Sequence, residues 1–313
     1  MTHMTHPYSR KLDNLDLIEG FLRDVVRYED YDDNNLLTKI KSGEAELKNY
    51  DNNSSTLNST THRSRKYKEA NSRWKLRAQI VNELYTLKRE DDDDKIELLI
   101  GGALPNGILQ SEKQAYIVIG LPASGKSNIS NQIADHFGAV ILDSDFAKRK
   151  LPEFKDNPAG ASLVHEESDK LIFGFDPATL PDGFLSLFEC CSENGDNIVI
   201  PKIGHNHRSI NKLATSLERF GYQVHLILVS LDRRLATKRA INRFKETGRY
   251  VPLSLIFDGY GNDPILTFYR LKDGILIDKQ EFISFGKIST DVPKGQKPKI
   301  IYKTDNSPVT IFE

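Results

Sequence analysis

The stretch GLPASGKS at residues 120–127 follows the apolar run AYIVI at 115–119 and precedes NISNQIADHF at 128–137. Its glycine, four free positions and Gly-Lys-Ser fit the phosphate-loop (Walker A) pattern, in which a strand leads through a loop into a helix. The other interpretation is a chance match in an ordinary turn. The apolar strand before the loop and the amphipathic helix after it favour a nucleotide-phosphate site.

Each residue of this loop has a predicted role in holding a triphosphate. Gly120 and Gly125 let the backbone approach the phosphates, and the Lys126 ammonium bridges the terminal two. Ser127 offers its hydroxyl to Mg²⁺, while the positive end of the following helix faces the anion. A nucleoside triphosphate with its Mg²⁺ is therefore the expected ligand. The residues assigned to nucleotide binding are Gly120, Pro122, Ala123, Ser124, Gly125, Lys126 and Ser127.

Composition and charge exclude several classes of partner. The chain has 313 residues, of which 38% are hydrophobic, enough for a substantial core. Its 43 basic residues balance 44 acidic ones, so we expect no nucleic acid and no membrane surface as partner. Adjacent Cys190 and Cys191 suit a reducing compartment. Without a recognisable span or secretory signal, we expect a cytoplasmic protein or one delivered into a target cell by signal-independent secretion.

The first hundred residues differ in character from the rest of the chain. Apolar residues after Asn14 keep to one helical face from Leu15 to Val26, which predicts a capped amphipathic helix. The polar stretch DNNSSTLNSTT at 51–61 predicts a loop, and a longer helix follows around Trp74. We interpret the run DDDDK at 91–95 as solvated linker charge.

From residue 115 onward, apolar strands alternate with amphipathic helices, which predicts a parallel sheet. The predicted strands are 115–119, 139–142, 197–200 and 224–229, and the predicted helices are 128–137, 181–193, 208–220 and 234–245. Later apolar runs predict antiparallel additions, with a hairpin at Asp273-Gly274. These runs are GILID (274–278), FISFG (282–286), KIIYK (299–303) and VTIF (309–312). The fold class is α/β, a P-loop NTPase- or kinase-like parallel sheet flanked by helices, with an N-terminal helical extension.

The second predicted strand ends in LDSDFAKRKLPEF at 142–154. We expect this strand next to the loop strand, so that Asp143 and Asp145 lie at the edge where open α/β sheets bind ligands. A carboxylate there accepts the proton of an attacking hydroxyl or holds the magnesium shell. We assign Asp145 as the base. The alternative is that the pair is a helix cap and a solvated charge.

A basic cluster follows in AINRFKETGRYVP at 240–252. Arg239 and Arg243 are four residues apart on one helical face, and Arg249 comes just after Gly248. Such a cluster suits a lid that closes over the phosphates and neutralises charge in the transition state. An exposed basic helix face is the alternative.

In this order and spacing, GLPASGKS, LDSDFAKRKLPEF and NRFKETGR closely resemble the zeta toxin family of bacterial P-loop kinases, which includes zeta-like effector kinases. The resemblance covers roughly residues 65–280. It implies ATP- and Mg²⁺-dependent phosphotransfer to an alcohol group by a toxin or effector. The acceptor would be a sugar hydroxyl of a nucleotide-type substrate, such as UDP-N-acetylglucosamine or NAD. The resemblance assigns catalysis to Lys126, Asp145, Arg243 and Arg249, and magnesium to Ser127 and Asp145.

One position departs from the family pattern. Where zeta toxins carry a substrate-binding glutamate, this chain has Pro201 and Lys202. A cationic residue there favours a substrate with an additional phosphate or carboxylate. We interpret His205 as a substrate or surface residue rather than as half of a metal pair with His207. Glu166 and Glu167 could supply the missing acid, a solvated helix face being the alternative. The candidate substrate residues are Asp143, Glu166, Lys202, His205 and Arg239.

The resemblance also suggests domains and partners. Residues 63–313 are expected to form the zeta-toxin-like kinase domain, and residues 1–62 a helical extension. Zeta-type chains are often held inactive by a helical antitoxin, separate or fused, so the extension is a candidate cis-inhibitory or chaperone-binding unit. The expected partners are a nucleotide-sugar or dinucleotide substrate and an antitoxin or chaperone.

Two other function classes stay open. A P-loop ATPase or nucleotide-dependent switch would place a magnesium-binding acid at another strand end. Asp232 lies two residues beyond the apolar run of VHLILVSLD, which we take as the last strand. A catalytically silent binding module is disfavoured because the loop residues, Asp145 and the arginines are all present.

Overall fold

The structure, a computed structural model, describes residues 9–48, 55–156, 160–274, 282–293 and 295–313. In these residues, a mostly parallel six-stranded sheet flanked by helices confirms the predicted α/β, P-loop-type fold. The strands are β1 (Gln114–Ile119), β2 (Val140–Ile141), β3 (Ile198–Lys202), β4 (Gln223–Ser230), β5 (Phe282–Ser289) and β6 (Lys299–Lys303). Their order across the sheet is β2-β3-β1-β4-β5-β6.

The α-helices lie before, between and after the strands. They are α1 (Leu15–Gly20), α2 (Asn34–Lys48), α3 (Ala70–Thr86), α4 (Lys126–His136), α5 (Ser144–Lys150), α6 (Glu153–Asp156), α7 (Gly160–Leu163), α8 (His165–Phe173), α9 (Leu187–Asn194), α10 (His207–Arg219), α11 (Arg233–Thr247) and α12 (Asp263–Lys272). Asn14 caps α1 as predicted, because its side chain accepts from the Leu17 amide at 2.9 Å. In the described chain, no helix combines the length and the apolar character that a membrane crossing demands.

The order and direction of the strands correct three predictions. β3 lies between β2 and β1, so the strand before Asp143 is not the neighbour of the loop strand. FISFG is not an antiparallel addition, since β5 pairs in parallel with β4 and α12 provides the crossover that a parallel pair requires. β4 is therefore not the last strand. β6, which contains KIIYK, runs antiparallel to β5.

Other local predictions were wrong at turns and at the ends of helices. The helix expected at 181–193 starts only at Leu187, where Ser186 caps it, because Pro and Gly precede that position. Asp273 ends α12 instead of opening a hairpin. VTIF lies in the 3₁₀ helix Pro308–Phe312. Residues 275–278 of GILID lie outside the described residues.

The described chain divides into two compact units. The first comprises the described residues within 47–114 and 131–200, and the second those within 9–46, 115–130 and 201–313. A buried ion-pair network holds the first unit: Arg73 donates to Glu167 at 2.7 Å and to Glu153 at 2.8 Å. Thr56 also donates to Glu167, at 2.5 Å, so the polar stretch predicted as a loop is buried at Ser55 and Thr56.

The acidic run DDDDK is solvent-exposed, as predicted, at every position except Asp93, but it is not a linker. Asp92 caps a short 3₁₀ turn, and Asp94 accepts from Arg149 at 2.7 Å. Burial raises the pKa of Asp93. Because Asp92 caps a turn, Asp93 is half-buried and Asp94 is paired, the run is an integral part of the first unit.

Candidate nucleotide site and catalytic residues

The loop between β1 and α4, in the second unit, has the backbone geometry of a phosphate cradle. A Cβ on Gly120 would lie 2.5 Å from the Val229 carbonyl oxygen, so only glycine fits there. Ala123 and Gly125 have φ angles of 59° and 89°, in the left-handed region. Turns of this kind direct successive backbone N–H groups into one concavity that binds anions.

The side chains of the loop divide between support and ligand binding. Ser124 is fully buried, and its Oγ has no hydrogen-bond partner within the described part of the chain. Lys126, the first residue of α4, donates from Nζ to the carbonyls of Gly120 and Leu121, both at 2.7 Å. Ser127 is exposed. The cradle, the ammonium and the exposed hydroxyl together fit the phosphates of a nucleotide with their Mg²⁺.

Thr290, immediately after β5, ties this loop to an arginine of α11. Its Oγ1 donates to the Ser124 carbonyl at 2.7 Å, and its own carbonyl accepts from Arg239 Nη2 at 2.7 Å. A second contact joins Arg239 Nη1 to Thr290 Oγ1 at 3.3 Å. Arg239 is therefore engaged with the residue that supports the phosphate loop, which an exposed basic helix face would not require.

Arg243 and Arg249 lie on and beyond the end of the same helix. Arg239 and Arg243 both belong to α11, which is continuous over Arg233–Thr247, so their predicted spacing on one face holds. Gly248 ends the helix with a φ of 71°. The Arg249 amide then donates to Thr247 Oγ1 at 3.2 Å. Both arginines are half-buried, and their catalytic role stays a prediction.

In the first unit, the two aspartates after β2 differ in their surroundings. Asp143 caps α5, because its Oδ1 accepts from the Asp145 amide at 2.9 Å. Burial and the neighbouring Asp145 charge raise the pKa of Asp143. Asp145 is half-buried and pairs with Lys148 at 2.8 Å. The helix-cap alternative thus describes Asp143, and Asp145 remains the candidate base.

The basic residues after Asp145 fix α5 in place. Lys150 is 1% exposed, and its Nζ donates to Glu83 at 2.7 Å and to the Glu97 carbonyl at 2.9 Å. Arg149 donates to the Asp145 carbonyl at 3.1 Å. These residues therefore position the turn of helix that carries Asp145, and their charges are already satisfied by protein groups.

The other candidate substrate residues fall in both units. In the second unit, Lys202 is the half-buried last residue of β3, and His205 is exposed with its ring 5.8 Å from that of Tyr260. In the first unit, Glu166 is half-buried on α8. Its neighbour Glu167 is fully buried in the ion-pair network. Of this glutamate pair, only Glu166 reaches solvent and stays the candidate acid.

His205 and His207 have different neighbours. His207, at the start of α10, lies with Nδ1 3.3 Å from an Arg270 nitrogen. Over the described ranges, no group of three or more His, Cys, Asp or Glu side chains is arranged to hold a metal.

Thr290 and Tyr260 are not among the site residues that the sequence predicts, although both contact predicted site residues. FISFG was expected in an antiparallel strand, so the residue after it was not placed at the ligand-binding edge. Recognising Asp263–Lys272 as a crossover helix would have put Thr290 at the carboxyl end of a parallel strand. Tyr260 ends a π-helical segment, Leu255–Tyr260, and such segments have no simple sequence pattern but are frequent at functional sites.

Comparison with known proteins identifies a family. The zeta toxin family model matches residues 107–260, which supports a nucleotide-dependent kinase. No curated protein matches the chain. A solved structure from the PezAT chromosomal toxin–antitoxin system of Streptococcus pneumoniae is similar with 16% identity and a TM-score of 0.49, covering 66% of this chain and 79% of that one. A gluconokinase from Sinorhizobium meliloti 1021 is similar with 16% identity and a TM-score of 0.30, covering 59% and 86%.

Proposed function

Residues 107–260 belong to the zeta toxin family, and on this premise we propose that the chain is an ATP- and Mg²⁺-dependent small-molecule kinase. It transfers the γ-phosphate of ATP to a sugar hydroxyl of a nucleotide-type substrate, and it acts as a toxin or effector. The observation that carries the proposal is the phosphate cradle, in which Lys126 is folded onto the loop and Thr290 joins the loop to Arg239.

In the proposed reaction, the loop amides and Lys126 bind the β- and γ-phosphates of ATP. The Lys126 ammonium exchanges the carbonyls of Gly120 and Leu121, both at 2.7 Å, for phosphate oxygens. Mg²⁺, held through Ser127 with Asp145 as a further candidate ligand, supplies neutralising charge when it is bound. Arg243 and Arg249 neutralise the charge that develops on the transferred phosphoryl group.

Asp145 acts as the general base. Its carboxylate takes the proton of the acceptor hydroxyl as the hydroxyl oxygen bonds to the γ-phosphorus and the bond from that phosphorus to ADP breaks. The Lys148 ammonium lies 2.8 Å from this carboxylate. Arg149 and Lys150 support this role because they hold α5.

The acceptor classes that we propose are UDP-sugars, such as UDP-N-acetylglucosamine, and dinucleotides, such as NAD. Lys202 at the end of β3 favours a member with an additional phosphate or carboxylate. His205 and Tyr260, 5.8 Å apart, add ring surfaces in the second unit. The other candidate substrate contacts are Asp143, Glu166 and Arg239. An antitoxin or chaperone as partner, and action in the cytoplasm of the producer or of a target cell, are proposals that follow from the family alone.

A mass-spectrometric survey tests the reaction. The protein is incubated with ATP, Mg²⁺ and a panel of UDP-sugars, NAD and nucleosides, beside Asp145→Ala and Asp176→Asn. Asp176 is a matched control because it is exposed in the first unit and caps a short turn, a role that asparagine retains. We expect one panel member to gain a phosphate with the wild type and Asp176→Asn, and none with Asp145→Ala.

The same survey distinguishes the proposed kinase from the alternative function, an ATPase or nucleotide-dependent switch. ADP release without a phosphorylated product, unchanged by Asp145→Ala, would overturn the kinase and favour an ATPase or switch. Asp232, the acid that such a protein would use for magnesium, instead caps α11 and accepts from the Arg234 amide at 2.8 Å.

A further inference from the structure

The N-terminal segment, defined here as residues 9–46, shares one hydrophobic core with α11 and the phosphate loop. Ile18, Leu22 and Ile40 of the segment have no exposed surface. They belong to the same buried cluster as Ala240 of α11 and Leu121 of the loop. Removing the segment would therefore expose the core on which the loop and the arginine-bearing helix rest.

Several polar contacts tie the same segment to distant parts of the second unit. Arg10 forms a two-pronged ion pair with Asp258, at 2.6 and 2.8 Å. The Tyr28 hydroxyl donates to Asn242 on α11 at 2.8 Å. The Tyr250 hydroxyl donates to Glu44 on α2 at 2.5 Å. Only the last of these contacts holds a residue adjacent to Arg249.

Tyr250 is confined on more than one side. A Cβ added to Gly43 would lie 2.6 Å from Cδ1 of the Tyr250 ring, so helix α2 rests directly against the ring and needs glycine there. The Phe244 ring meets it edge-on with centroids 5.0 Å apart. Burial raises the pKa of Tyr250 well above its ordinary value, so the hydroxyl keeps the proton that it donates to Glu44.

From these contacts we infer that Glu44 and Tyr250 are positioning residues for Arg249. Helix α2 clasps the chain just after Gly248, the residue at which the chain leaves α11. This clasp fixes the backbone that carries the Arg249 side chain. The N-terminal segment is then a constitutive part of the kinase, not a detachable inhibitor. This inference rests on the proposed function, in which Arg249 contacts the transferred phosphate.

Tyr250→Phe, with Tyr28→Phe as its control, tests the clasp in the full-length chain. Each substitution removes one hydroxyl between the segment and the region of α11, but only Tyr250 adjoins Arg249. We expect Tyr250→Phe to speed hydrogen exchange in the peptide covering 248–252 and to lower kcat on the order of tenfold, with KM for ATP little changed. Glu44→Gln retains an acceptor for the Tyr250 hydroxyl and should keep most of the activity, whereas Glu44→Ala should not.

A second pair of variants acts through shape alone. Gly43→Ala would push the Tyr250 ring aside, while Gly20→Ala, in α1, meets nothing within 4 Å. Both introduce a better helix former, so we expect both to fold and only Gly43→Ala to lower kcat. Unchanged exchange and kcat in Tyr250→Phe and Gly43→Ala would overturn the inference. Higher kcat would also overturn it, because that result identifies the segment as an inhibitor.

The tests separate failure of the clasp from failure of the proposed function. If the wild type transfers no phosphate, the kinase proposal fails, and hydrogen exchange at 248–252 alone decides whether Glu44 and Tyr250 hold this stretch. If the wild type transfers phosphate but Tyr250→Phe and Tyr28→Phe behave alike, the kinase stands and the positioning role is wrong.

Discussion

The hydroxyl of Thr290 donates a 2.7 Å hydrogen bond to the backbone carbonyl of Ser124, in the middle of the phosphate loop. The Thr290 methyl group would lie 3.4 Å from a Cβ on Gly125, so the residue also backs the loop sterically. Because Thr290 accepts from Arg239 as well, one side chain and its carbonyl couple the end of β5, the loop and α11.

Thr290→Val removes this hydroxyl and keeps the shape of the side chain. The Ser124 carbonyl and Arg239 Nη1 then both lose their contact with the hydroxyl. We expect ATP affinity to fall about tenfold, a loss of about 1.4 kcal/mol. Isothermal titration with a non-hydrolysable ATP analogue measures this. Thr304→Val is the control, because Thr304 Oγ1 accepts from the Phe285 amide at 3.0 Å on the pairing side of β5. Equal losses in the two variants would contradict a specific role of Thr290.

The unfolding free energy should depend on pH through buried His225. This residue is 5% exposed, stacks on Tyr116 and has Nδ1 2.6 Å from Ser284 Oγ. Burial lowers its pKa from 6.5 to about 4. Since the folded-state pKa is the lower one, its contribution is complete above pH 6.5 and is lost as pH falls toward 4, at about 1.4 kcal/mol per pH unit.

Urea unfolding at about pH 7.5 and about pH 5 measures this dependence. We expect His225→Phe to reduce the slope of the unfolding free energy against pH, whatever its effect on stability at neutral pH. Part of the slope should remain, because burial also lowers the pKa of His165 to about 4. The exposed His136 provides the control variant His136→Gln, which should leave the slope unchanged. A slope equal to the wild type's in His225→Phe would refute the assignment.

Substitutions of the adjacent Glu166 and Glu167 should affect different quantities, the KM for the acceptor in one case and the unfolding free energy in the other. Glu167 accepts from Arg73, Arg77 and Thr56 in the interior, so Glu167→Gln should lower the unfolding free energy by about 3–5 kcal/mol. Glu166→Gln should change it by less than about 0.5 kcal/mol. If Glu166 contacts the acceptor, its substitution raises KM for the acceptor alone. Denaturant titrations and steady-state kinetics of both variants provide the comparison, and a larger stability loss in Glu166→Gln would reverse our assignment.

Both cysteines should be unreactive in the folded protein. Cys191 is buried and Cys190 half-buried, both are free thiols, and burial raises the pKa of each. A thiol with a raised pKa has little thiolate near neutral pH, and the thiolate is the reactive form. We therefore expect slow labelling by a chromogenic disulfide reagent near pH 7 and rapid labelling of both thiols in denaturant. Fast native labelling at either cysteine would show that its site opens readily.

Local features of the site could be predicted from the sequence because short-range physics determines them. The phosphate loop needs glycines where a Cβ would collide, and Gly120 is such a position. The spacing of Arg239 and Arg243 follows from the helical repeat, and α11 is continuous through both. The cap at Asn14 depends on a side chain and an amide three residues apart.

Relationships between distant segments could not be predicted in the same way. The direction of β5 depends on whether the residues before it form a crossover helix or a tight turn, and that choice decides where Thr290 lies. DDDDK looks like a solvated charge run, yet Asp94 pairs with Arg149, 55 residues away. In each case the partner is remote in the chain, so no local pattern reports it.

By itself, the sequence determined that this chain has a phosphate-loop motif on an α/β sheet and that Asp145, Arg243 and Arg249 are its candidates for phosphoryl transfer. These are properties of short segments, in which backbone sterics and side-chain spacing act within a few residues. Only the tertiary structure decided that Thr290 supports the loop and that residues 9–46 form one core with α11. Both depend on burial and hydrogen bonding between segments far apart in the chain, which exist only once the fold has formed.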